Sequence, residues 1–554
     1  EDYNQVPSHG YLALSFNIHN TSLSEAKKIE FNLGYRNIAR KTIVVPPRSI
    51  TAMPVYVPAT AFRNTHCFFY INNQKMDAFT INRKYSYTNS HTIFAGKKRG
   101  YKLQETLNKY GLLEEKTKSG RVKQGNKTSF QVSSLDISNW SDNWLTYGSF
   151  DAVVLSYREF TDTTSAVKEA LTGYMKCGGT LTIIGGTLPE LQKIFPAISQ
   201  RETNTCTIKK SGFGYCIWIP DDYSNPINKM TLVRIKKHWS SGKNFWKYTE
   251  PFSSINNYFP VKGELTVPVK SLSVLMFLFV ILVGPINIII LMKIKKRILL
   301  LVTVPAISGI FSLILLLFFI FGEGFEKLLR IQSITLLNQD TNHASTLGLA
   351  SFYSTLSPSK GLIFDNEAEI TIQNADTIRR LYSRNPNLNY QMQCGEEQIM
   401  HGDFVRAKIP SIFKVRKFVR TKNKIEFIKD GQDILCTNGL GVSVKNLWLF
   451  TKEGSTYKMD TEKMEAGDEI SLVKCQLERS DYDYSKVSPS YLISILEDPK
   501  IKVSSLGNPQ KGTYYIAILD DNPFISKALK NADPKNHSNV VIGEGIIFRT
   551  KGGN

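Results

Sequence analysis

Two long uncharged stretches in the middle of the chain limit its possible folds more than any other feature. They are Leu272–Met292 and Ile298–Gly322, and neither contains Asp, Glu, Lys, Arg or His. Crossing the apolar core of a bilayer takes about 20 helical residues, and each stretch is long enough. The alternative is a buried helical hairpin in a soluble protein, but core helices rarely run this far without a charge. We therefore predict transmembrane helices over 271–292 and 298–322.

The connector between the two stretches, 293–297, predicts their orientation. It contains no acid, and its cations are Lys293, Lys295, Lys296 and Arg297. Short basic connectors lie on the cytoplasmic side of a membrane. The flanking regions, 1–270 and 323–554, are then expected together on the extracytoplasmic side. Because the first region must be exported and the sequence begins at Glu1, we also expect that a signal peptide has been removed.

A few polar or small residues inside the two stretches predict helix contacts. Asn287 follows Pro285 closely and has two interpretations. It either bonds backbone groups freed by the proline or donates a hydrogen bond to the second helix or to a partner helix. Ser308, Gly309 and Ser312 form a small-residue face on the second stretch, which suits close helix contact.

The charge of the chain favours anionic partners without identifying one. Lys and Arg number 69 against 48 Asp and Glu, which gives a formal net charge of +21. Such a charge favours contact with nucleic acid, lipid headgroups or an anionic envelope polymer, or it is simply spread over solvated surfaces. The predicted topology and the lack of a nucleic-acid motif argue against nucleic acid. An envelope polymer and lipid remain open.

The cysteines predict neither a disulfide scaffold nor a metal centre. There are 7 in 554 residues, and no Cys or His cluster has zinc-ligand spacing, so we expect no metal and no cofactor. Cys206 and Cys216 flank a predicted hairpin turn over Lys209–Gly214. We expect them to face each other across two strands and to form a disulfide in an oxidising compartment.

The first region, 1–90, predicts a small β domain. Apolar residues occupy every second position of Tyr11–Ile18, which is typical of a strand with one buried face. Further short strands are separated by turns such as Pro46-Pro47. The pattern resembles the immunoglobulin-like sandwiches of bacterial surface proteins, which implies a spacing or docking role.

The second region, 91–220, predicts a parallel sheet with helices. Phe150–Leu155 and Thr180–Ile184 are continuous apolar runs, as in buried parallel strands. Between them, Ser165–Cys177 has the spacing of an amphipathic helix. Alternation of strand and helix predicts a doubly wound α/β fold.

The same region resembles class I glutamine amidotransferase-like domains. The resemblance rests on FDAVVLSYREF (150–160) and AVKEALTGYMKCGGTLTIIGG (166–186). In that family a catalytic cysteine stands on the nucleophile elbow, directly after the strand that corresponds to Thr180–Ile184. This sequence has other residues at the elbow: Gly185, Gly186 and Thr187. Cys177 lies before the strand, where a structural role is expected. The resemblance therefore implies a pseudoenzyme with no catalytic residues.

Other polar residues offer only weak alternatives for chemistry. Ser156 lies at the end of the predicted strand Phe150–Leu155, but no histidine lies between His91 and His238 to activate it. Glu159 and Asp162 are expected on the same edge of the sheet, where doubly wound proteins bind ligands. They are interpreted either as a degenerate ligand or protein-contact site or as solvated loop acids.

Two regions complete the predicted organisation. The segment 221–270 is expected to be a connector to the membrane, and its aromatics around His238-Trp239 either anchor at the membrane surface or pack beneath the sheet. The region 323–554 returns to short strands separated by turns, which predicts a mostly β sandwich.

The architecture as a whole resembles a group of bacterial membrane proteins. They combine a β domain, a degenerate amidotransferase-like domain, a "GPxN" transmembrane segment and a β sandwich. Gly284-Pro285-Ile286-Asn287 matches that segment, and Ser351–Pro358 and Thr437–Asp468 resemble strands of the sandwich. A more distant similarity links the architecture to exported accessory subunits of ABC-type systems, such as those of gliding motility. These resemblances imply a two-pass protein of the bacterial cytoplasmic membrane.

The sequence thus leads to three functional hypotheses. The first is a non-catalytic, membrane-anchored scaffold or accessory subunit that binds other membrane or envelope proteins, for instance an ABC-type transporter. The second is a module that binds anionic wall polymer or lipid. The third is an envelope hydrolase or amidotransferase, which requires an unrecognised nucleophile such as Ser156.

Overall fold

The computed structural model describes residues 10–33, 39–58, 65–81, 90–110, 129–187, 189–190, 206–220, 227, 229–241, 256–257, 259–262, 269–295, 297–322, 326–373, 389–431, 433–475, 512–535 and 538–550. Within these ranges the protein is multidomain and consists mostly of β-sheets, with some helices. Two apolar helices near the middle of the chain separate an N-terminal part from a C-terminal β part.

Six strands form the N-terminal β part: β1 (Tyr11–Asn20), β2 (Lys27–Leu33), β3 (Ala39–Val45), β4 (Ser49–Pro58), β5 (Thr65–Ile71) and β6 (Gln74–Ile81). β1 and β4 pair antiparallel over their full length, and the other strands belong to a second sheet. In β1 the alternation read from the sequence places Leu12 in the core and packs Leu14 and Phe16 against it.

The next strands build an α/β unit: β7 (Ser90–Gly96), β8 (Ser129–Leu135), β9 (Ala152–Ser156), β10 (Thr180–Ile184), β11 (Thr207–Ser211) and β12 (Gly214–Ile219). Their order in the sheet is β11-β12-β10-β9-β7-β8. All neighbours are parallel except β11, which pairs antiparallel with β12. Numbered along the chain, the parallel strands have the order 2-1-3-4-5, as in doubly wound sheets.

Helices cover both faces of this sheet: α1 (Lys97–Tyr110), α2 (Tyr157–Asp162), α3 (Ser165–Lys176) and α4 (Lys229–Ser241). Successive strand residues point to opposite faces, so Leu155 packs with α3 while Val154 packs with α1 and α4. Trp239 of α4 is 1% exposed, and its indole N–H reaches Thr182 Oγ1 at 3.4 Å. For Trp239, packing beneath the sheet is the interpretation found, whereas Phe245 and Trp246 lie outside the described residues. The predicted connector 221–270 therefore includes a helix of the α/β unit.

The predicted Cys206–Cys216 disulfide is incompatible with this sheet. Lys209, not Cys206, lies opposite Cys216 in the β11–β12 pairing. Cys216 packs with Trp218 on the α3 face, whereas Cys206 packs with Ile217 on the other face. Because side chains on opposite faces of a sheet point apart, they cannot be bridged without moving the backbone. The turn was placed correctly, but the prediction of the disulfide is wrong.

We expect mass analysis of the protein, unfolded without reductant in the presence of an alkylating agent, to show this directly. Cys206 and Cys216 should each appear as a separately alkylated thiol rather than as a linked pair of peptides. A linked pair that disappears on reduction would contradict the strand register.

The apolar helices form a hairpin: α5 (Val269–Ile281), α6 (Asn287–Lys293) and α7 (Leu300–Gly322). A π-helical turn over Leu282–Ile286, which contains Pro285, joins α5 to α6. By length and composition, Val269–Lys293 and Leu300–Leu317 are able to cross a membrane. Only 11% and 6% of their most apolar windows are buried within the molecule, which argues against helices of a soluble core.

The remaining strands are β13 (Lys327–Asn338), β14 (His343–Ser354), β15 (Leu362–Asp365), β16 (Ala368–Ile372), β17 (Tyr390–Cys394), β18 (Glu397–Gly402), β19 (Ser411–Arg420), β20 (Lys424–Asp430), β21 (Asp433–Gly439), β22 (Val444–Phe450), β23 (Thr456–Met459), β24 (Glu469–Cys475), β25 (Tyr514–Leu519), β26 (Asp533–Pro534), β27 (Ser538–Glu544) and β28 (Phe548–Thr550). Thirteen of the described strands form one sheet, in the order β16-β19-β14-β13-β27-β25-β22-β23-β24-β21-β20-β28 with β26 beside β13. Within it, β13 and β14 form a long hairpin that pairs antiparallel from Lys327 and Ser354 to Asn338 and His343.

The N-terminal and C-terminal β parts share a sheet and a core. The second N-terminal sheet has the order β15-β18-β17-β3-β2-β5-β6, and Met392 of β17 pairs with Ala39 of β3. One apolar cluster contains Phe31 and Val55 together with Phe352 and Phe413. The predicted boundaries, which make 1–90 and 323–554 separate domains, are therefore not boundaries between separate cores.

Candidate functional site

The carboxyl edge of the parallel sheet is where doubly wound proteins bind ligands, and here it holds a helix cap. The Ser156 hydroxyl donates to Glu159 Oε2 at 2.8 Å and accepts from the Glu159 N–H at 3.1 Å. The same carboxylate oxygen accepts from the Ser156 N–H at 2.7 Å. This reciprocal capping box begins α2 and occupies both side chains. Asp162, predicted on the same edge, is an exposed residue at the end of α2.

The two histidines nearest to Ser156 in the sequence, His91 and His238, lie at the other end of the sheet. His91 is at the amino end of β7, and because Ala95 pairs with Val154, Ser156 lies about 20 Å farther along the strands. His238 is near Thr180 at the start of β10, where its carbonyl accepts from the Thr180 hydroxyl. Neither imidazole is placed to activate Ser156.

The elbow position is a turn held by backbone and cap contacts. Gly185 and Gly186 have φ of 83° and 78°, the left-handed region that favours glycine. A Cβ on Gly186 would lie 2.7 Å from Cγ of Tyr157, so this position has no room for a side chain. Thr187 donates from its N–H and its hydroxyl to Glu190 Oε2, each at 2.8 Å. The residues of this turn end β10 and bind the side chain of Glu190.

Cys177 ends α3 and is fully buried. Burial raises the pKa of its thiol to about 12, so it stays protonated at neutral pH. Since the thiolate is the nucleophile, this cysteine is chemically inert in the folded protein. Among the described residues, no three His, Cys, Asp or Glu side chains come together as metal ligands would.

An open cleft of about 560 Å³ lies between the α/β unit and the C-terminal sheet. One wall contains Tyr157 and Phe160, and the other contains His343 and Arg420. Glu169 of α3 crosses the cleft, reaching His343 Nε2 at 3.1 Å and Arg420 Nη2 at 3.2 Å. These contacts link the two units at their surface.

A buried ion pair holds the same two units together more deeply, and the sequence did not predict it. Arg416 of β19 and Glu369 of β16 are directly opposite in the sheet and are 2% and 1% exposed. Arg416 Nε donates to Glu369 Oε1 at 2.9 Å. Its two terminal nitrogens donate across the interface to the carbonyls of Gly148 (3.1 Å) and Cys177 (3.2 Å). Burial raises the pKa of Glu369, and the Arg416 charge opposes that shift.

The N-terminal β part reaches the same point. The Tyr11 hydroxyl donates to Gln398 Oε1 at 2.6 Å and accepts from the Ile370 N–H at 3.0 Å. Gly10, just before it, packs so tightly that a Cβ would lie 2.5 Å from the Gly148 carbonyl oxygen. Three parts of the chain thus meet around one ion pair, and we call this the buried junction.

A second junction lies where the chain enters and leaves the hairpin. Lys262, which precedes α5, is 3.3 Å from Glu326 Oε2, which follows α7. Its ammonium also donates to the Tyr353 hydroxyl at 3.3 Å and lies 4.7 Å from the centre of that ring. Beside it, Arg330 donates to the Pro260 carbonyl at 2.8 Å. The two segments next to the membrane helices are therefore joined to each other and to the C-terminal sheet.

Within the hairpin, Asn287 makes an interhelical contact. Its amide donates to Thr303 Oγ1 of α7 at 3.0 Å, and its side chain is 5% exposed. Leu291 and Phe311 are buried along the same seam, and the rings of Phe279 and Phe311 lie 4.5 Å apart. Of the two interpretations of Asn287, the bond to the second helix is the one found.

The predicted small-residue face lies mostly outside this seam. Ser308 is half-buried, whereas Gly309 and Ser312 are exposed. A Cβ on Gly309 or on Gly284 would have nothing within 4 Å. The two helices of this chain therefore leave these positions open to the surroundings.

Removing the interhelical hydrogen bond is expected to have a small, measurable effect. In a double-mutant cycle of Asn287→Leu and Thr303→Val, the coupling energy should be about 0.6 kcal/mol, as for hydrogen bonds in other membrane proteins. Unfolding the reconstituted protein with SDS measures it. The control cycle combines Asn287→Leu with Leu301→Val, because Leu301 is 84% exposed. An equal coupling energy in the two cycles would contradict the contact between Asn287 and Thr303.

The structure places the basic connector between the helix ends. Lys293 ends α6, and Lys295 occupies a turn with φ of 57°. Arg297 begins a short 3-10 turn that leads into α7, and Lys296 lies outside the described residues. The cations are thus at the closed end of the hairpin, opposite the junction of Lys262 and Glu326.

Comparison with known proteins adds no family. No family model matches the sequence, and no curated protein matches it either. Among solved structures, the chain matches the yeast delta-COP-I mu-homology domain complexed with a Dsl1 WxWxV peptide. The identity is 8%, the match covers 41% of this chain and 98% of that chain, and the TM-score is 0.15. A likeness at this level carries no argument about fold or function.

Proposed function

We propose that this protein is a non-catalytic, membrane-anchored accessory subunit or scaffold whose extracytoplasmic body binds other membrane proteins. The observation that carries the proposal is the shared sheet and core of the two parts that flank the hairpin. Because these parts form one body, both lie on the same side of any membrane that the hairpin crosses. Two helices are too few to form a transport path alone, so they serve as an anchor.

The state of the sheet edge supports a non-catalytic role. Ser156 and Glu159 are engaged in a helix cap, and the elbow residues Gly186 and Thr187 hold a turn. Neither His91 nor His238 is near enough to serve as the base that a serine nucleophile needs. His343, which lines the cleft with Tyr157, is paired with Glu169. In this proposal the α/β unit is an amidotransferase-like fold used for protein contact, and the N-terminal strands are an immunoglobulin-like sandwich.

The proposed environment is the bacterial cytoplasmic membrane. The basic connector, with Lys293 and Lys295, faces the cytoplasm under the positive-inside rule. The body then lies outside the cytoplasm, where an ABC-type transporter is the class of partner that the predicted architecture suggests. Any signal from the cytoplasm reaches the body through partner helices, because the connector itself is very short.

The open positions on the hairpin are the proposed contact with those helices. Gly309 and Ser312 allow a partner helix to approach closely, as small residues do in membrane interfaces. A large side chain at Gly309 is expected to prevent that approach without disturbing the seam between the chain's own helices.

Purification from native membranes in mild detergent tests the proposal. We expect the protein to co-purify with other membrane proteins, and Gly309→Leu to reduce their yield. Val302→Leu is the matched control, since Val302 is also exposed on α7 and already has a branched side chain. A chain that always runs alone in the detergents tested would contradict the proposal.

A further inference from the structure

Short tethers fix which end of the body faces the membrane. Glu326 is only four residues beyond Gly322, the last residue of α7. Lys262 is seven residues before Val269, the first residue of α5. At about 3.5 Å per extended residue, these segments reach at most about 14 Å and 25 Å. The start of β13, which follows Glu326 directly, is therefore close to the headgroup layer.

Two loops lie beside Glu326, at the body end of the tether that follows α7. The Thr355 N–H donates to the Glu326 carbonyl at 3.0 Å, which places the loop after β14 next to the tether. The Lys408 N–H donates to the Ser354 carbonyl at 2.8 Å, which places the loop before β19 next to it. Neighbouring strands are about 4.8 Å apart, so both loops lie within about 10 Å of Glu326.

Each of these loops exposes a large apolar side chain. Leu356 is 55% exposed and Ile409 is 42% exposed. Exposed apolar side chains are ordinary on a protein surface when they occur singly. Here two of them occur on neighbouring loops, at the end of the body that is tethered to a membrane helix.

The charge of the same end complements an anionic surface. Lys360 and Lys408 are exposed in the same two loops as the apolar side chains, and Lys327 directly follows Glu326. Of the described acids near this end, Glu326 is paired with Lys262 and Asp403 with Arg406. On the adjacent strand, Asp533 is accompanied by exposed Lys535, so that strand adds no net charge.

We propose that Lys327, Leu356, Lys360, Lys408 and Ile409 form a membrane-contact rim that binds the anionic lipid headgroups of the leaflet next to the body. The apolar side chains enter the boundary between headgroups and acyl chains, and the lysines contact the phosphates. Near an anionic surface each lysine strengthens such contact about five-fold. The rim would hold the body at a defined tilt on its anchor. This inference requires a hairpin that spans the membrane, but it does not require the accessory-subunit function.

Tryptophan quenching in nanodiscs tests the rim in the full-length protein. The fluorescence of the native tryptophans is subtracted by measuring the parent protein in the same nanodiscs. The added tryptophan of Leu356→Trp is expected to lose fluorescence when the lipids carry bromine near the headgroup. Ile547→Trp is the control, because Ile547 is 75% exposed and lies three residues after Glu544, which pairs with Asn338 at the far end of β13. That end is about 37 Å from Lys327 along the strand. Equal unfolding temperatures of the two variants show that both fold.

The lipid composition decides the charge part of the proposal. Quenching of Leu356→Trp should be stronger in phosphatidylcholine mixed with phosphatidylglycerol than in phosphatidylcholine alone. The double variant Lys327→Gln, Lys360→Gln should remove that difference between the two lipid compositions. The control Lys452→Gln, Lys458→Gln makes an equal change of charge on the far part of the sheet and should leave the difference unchanged. Absent quenching, or quenching independent of phosphatidylglycerol, would overturn the rim. Neither result depends on whether partner proteins co-purify.

Discussion

Replacing Arg416 with methionine is expected to lower the free energy of unfolding of the extramembrane body by about 3–5 kcal/mol, because the change leaves a buried partner without its ion pair. Glu369 would remain 1% exposed opposite an uncharged side chain. The carbonyls of Gly148 and Cys177 would also lose their donors. Since these bonds cross between the α/β unit and the β part, the two units should also separate more easily.

Urea unfolding of the detergent-solubilised protein measures this effect. The matched control is Arg420→Met, which removes an arginine of the same strand whose side chain is 69% exposed and whose pair with Glu169 lies at the surface. An exposed pair of this kind contributes about 0–1 kcal/mol. Adding Glu369→Leu to Arg416→Met should recover part of the loss, because no unpaired charge then remains. A single variant as stable as the control would show that the junction is not a buried ion pair.

Replacing Phe31 with alanine is expected to destabilise strands that lie on the other side of the hairpin in the sequence. Phe31, in β2, is fully buried in the cluster that also contains Phe352 and Phe413. Removing a buried phenylalanine costs about 3–5 kcal/mol, through lost burial and the cavity left behind. If the core is shared, the loss must appear in the C-terminal strands as well as in the N-terminal ones.

Hydrogen exchange of the backbone amides measures where the loss appears. We expect faster exchange in β17, Tyr390–Cys394, which pairs with β3 at Met392 and Ala39. Val44→Ala is the control, because Val44 is 63% exposed on the neighbouring strand β3. Protection of β17 that is unchanged by Phe31→Ala would mean that the two β parts fold independently, as the sequence boundaries at 90 and 323 predicted.

The sequence was informative where structure depends on local pattern. The uncharged stretches predicted the hairpin helices to within a few residues, and the apolar runs predicted β9 and β10 at Ala152–Ser156 and Thr180–Ile184. Periodicity and length decide such elements, because each buries its own apolar face or meets lipid. The turn between β11 and β12 was equally readable from its glycines.

Pairing between distant segments was not predictable in this way. β3 and β17 pair although more than three hundred residues separate Ala39 from Met392. No sequence feature of either strand identifies the strand with which it pairs. The disulfide prediction was wrong for a related reason, because the register of the β11–β12 pairing could not be derived from the sequence. A shift of one residue moves a side chain to the opposite face, and Cys206 lies one residue from the position that would share the face of Cys216.

The buried junction did leave a signal in the sequence. Glu369 lies within the apolar run Ala368–Ile372, and Arg416 ends a run of five consecutive buried residues, 412–416, in β19. A charge inside a strand that is otherwise apolar indicates a buried partner, since burying an unpaired charge is too costly. The identity of that partner required the structure.

Protease protection in spheroplasts and in inverted membrane vesicles tests the central claim most directly, namely that one body built from both flanking regions lies outside the cytoplasm on a two-helix anchor. Epitopes before Val269 and after Lys327 should both be cut in spheroplasts and both be protected in inverted vesicles. Protection of either region in spheroplasts, with cutting in inverted vesicles, would contradict the account, because the shared sheet requires both on one side.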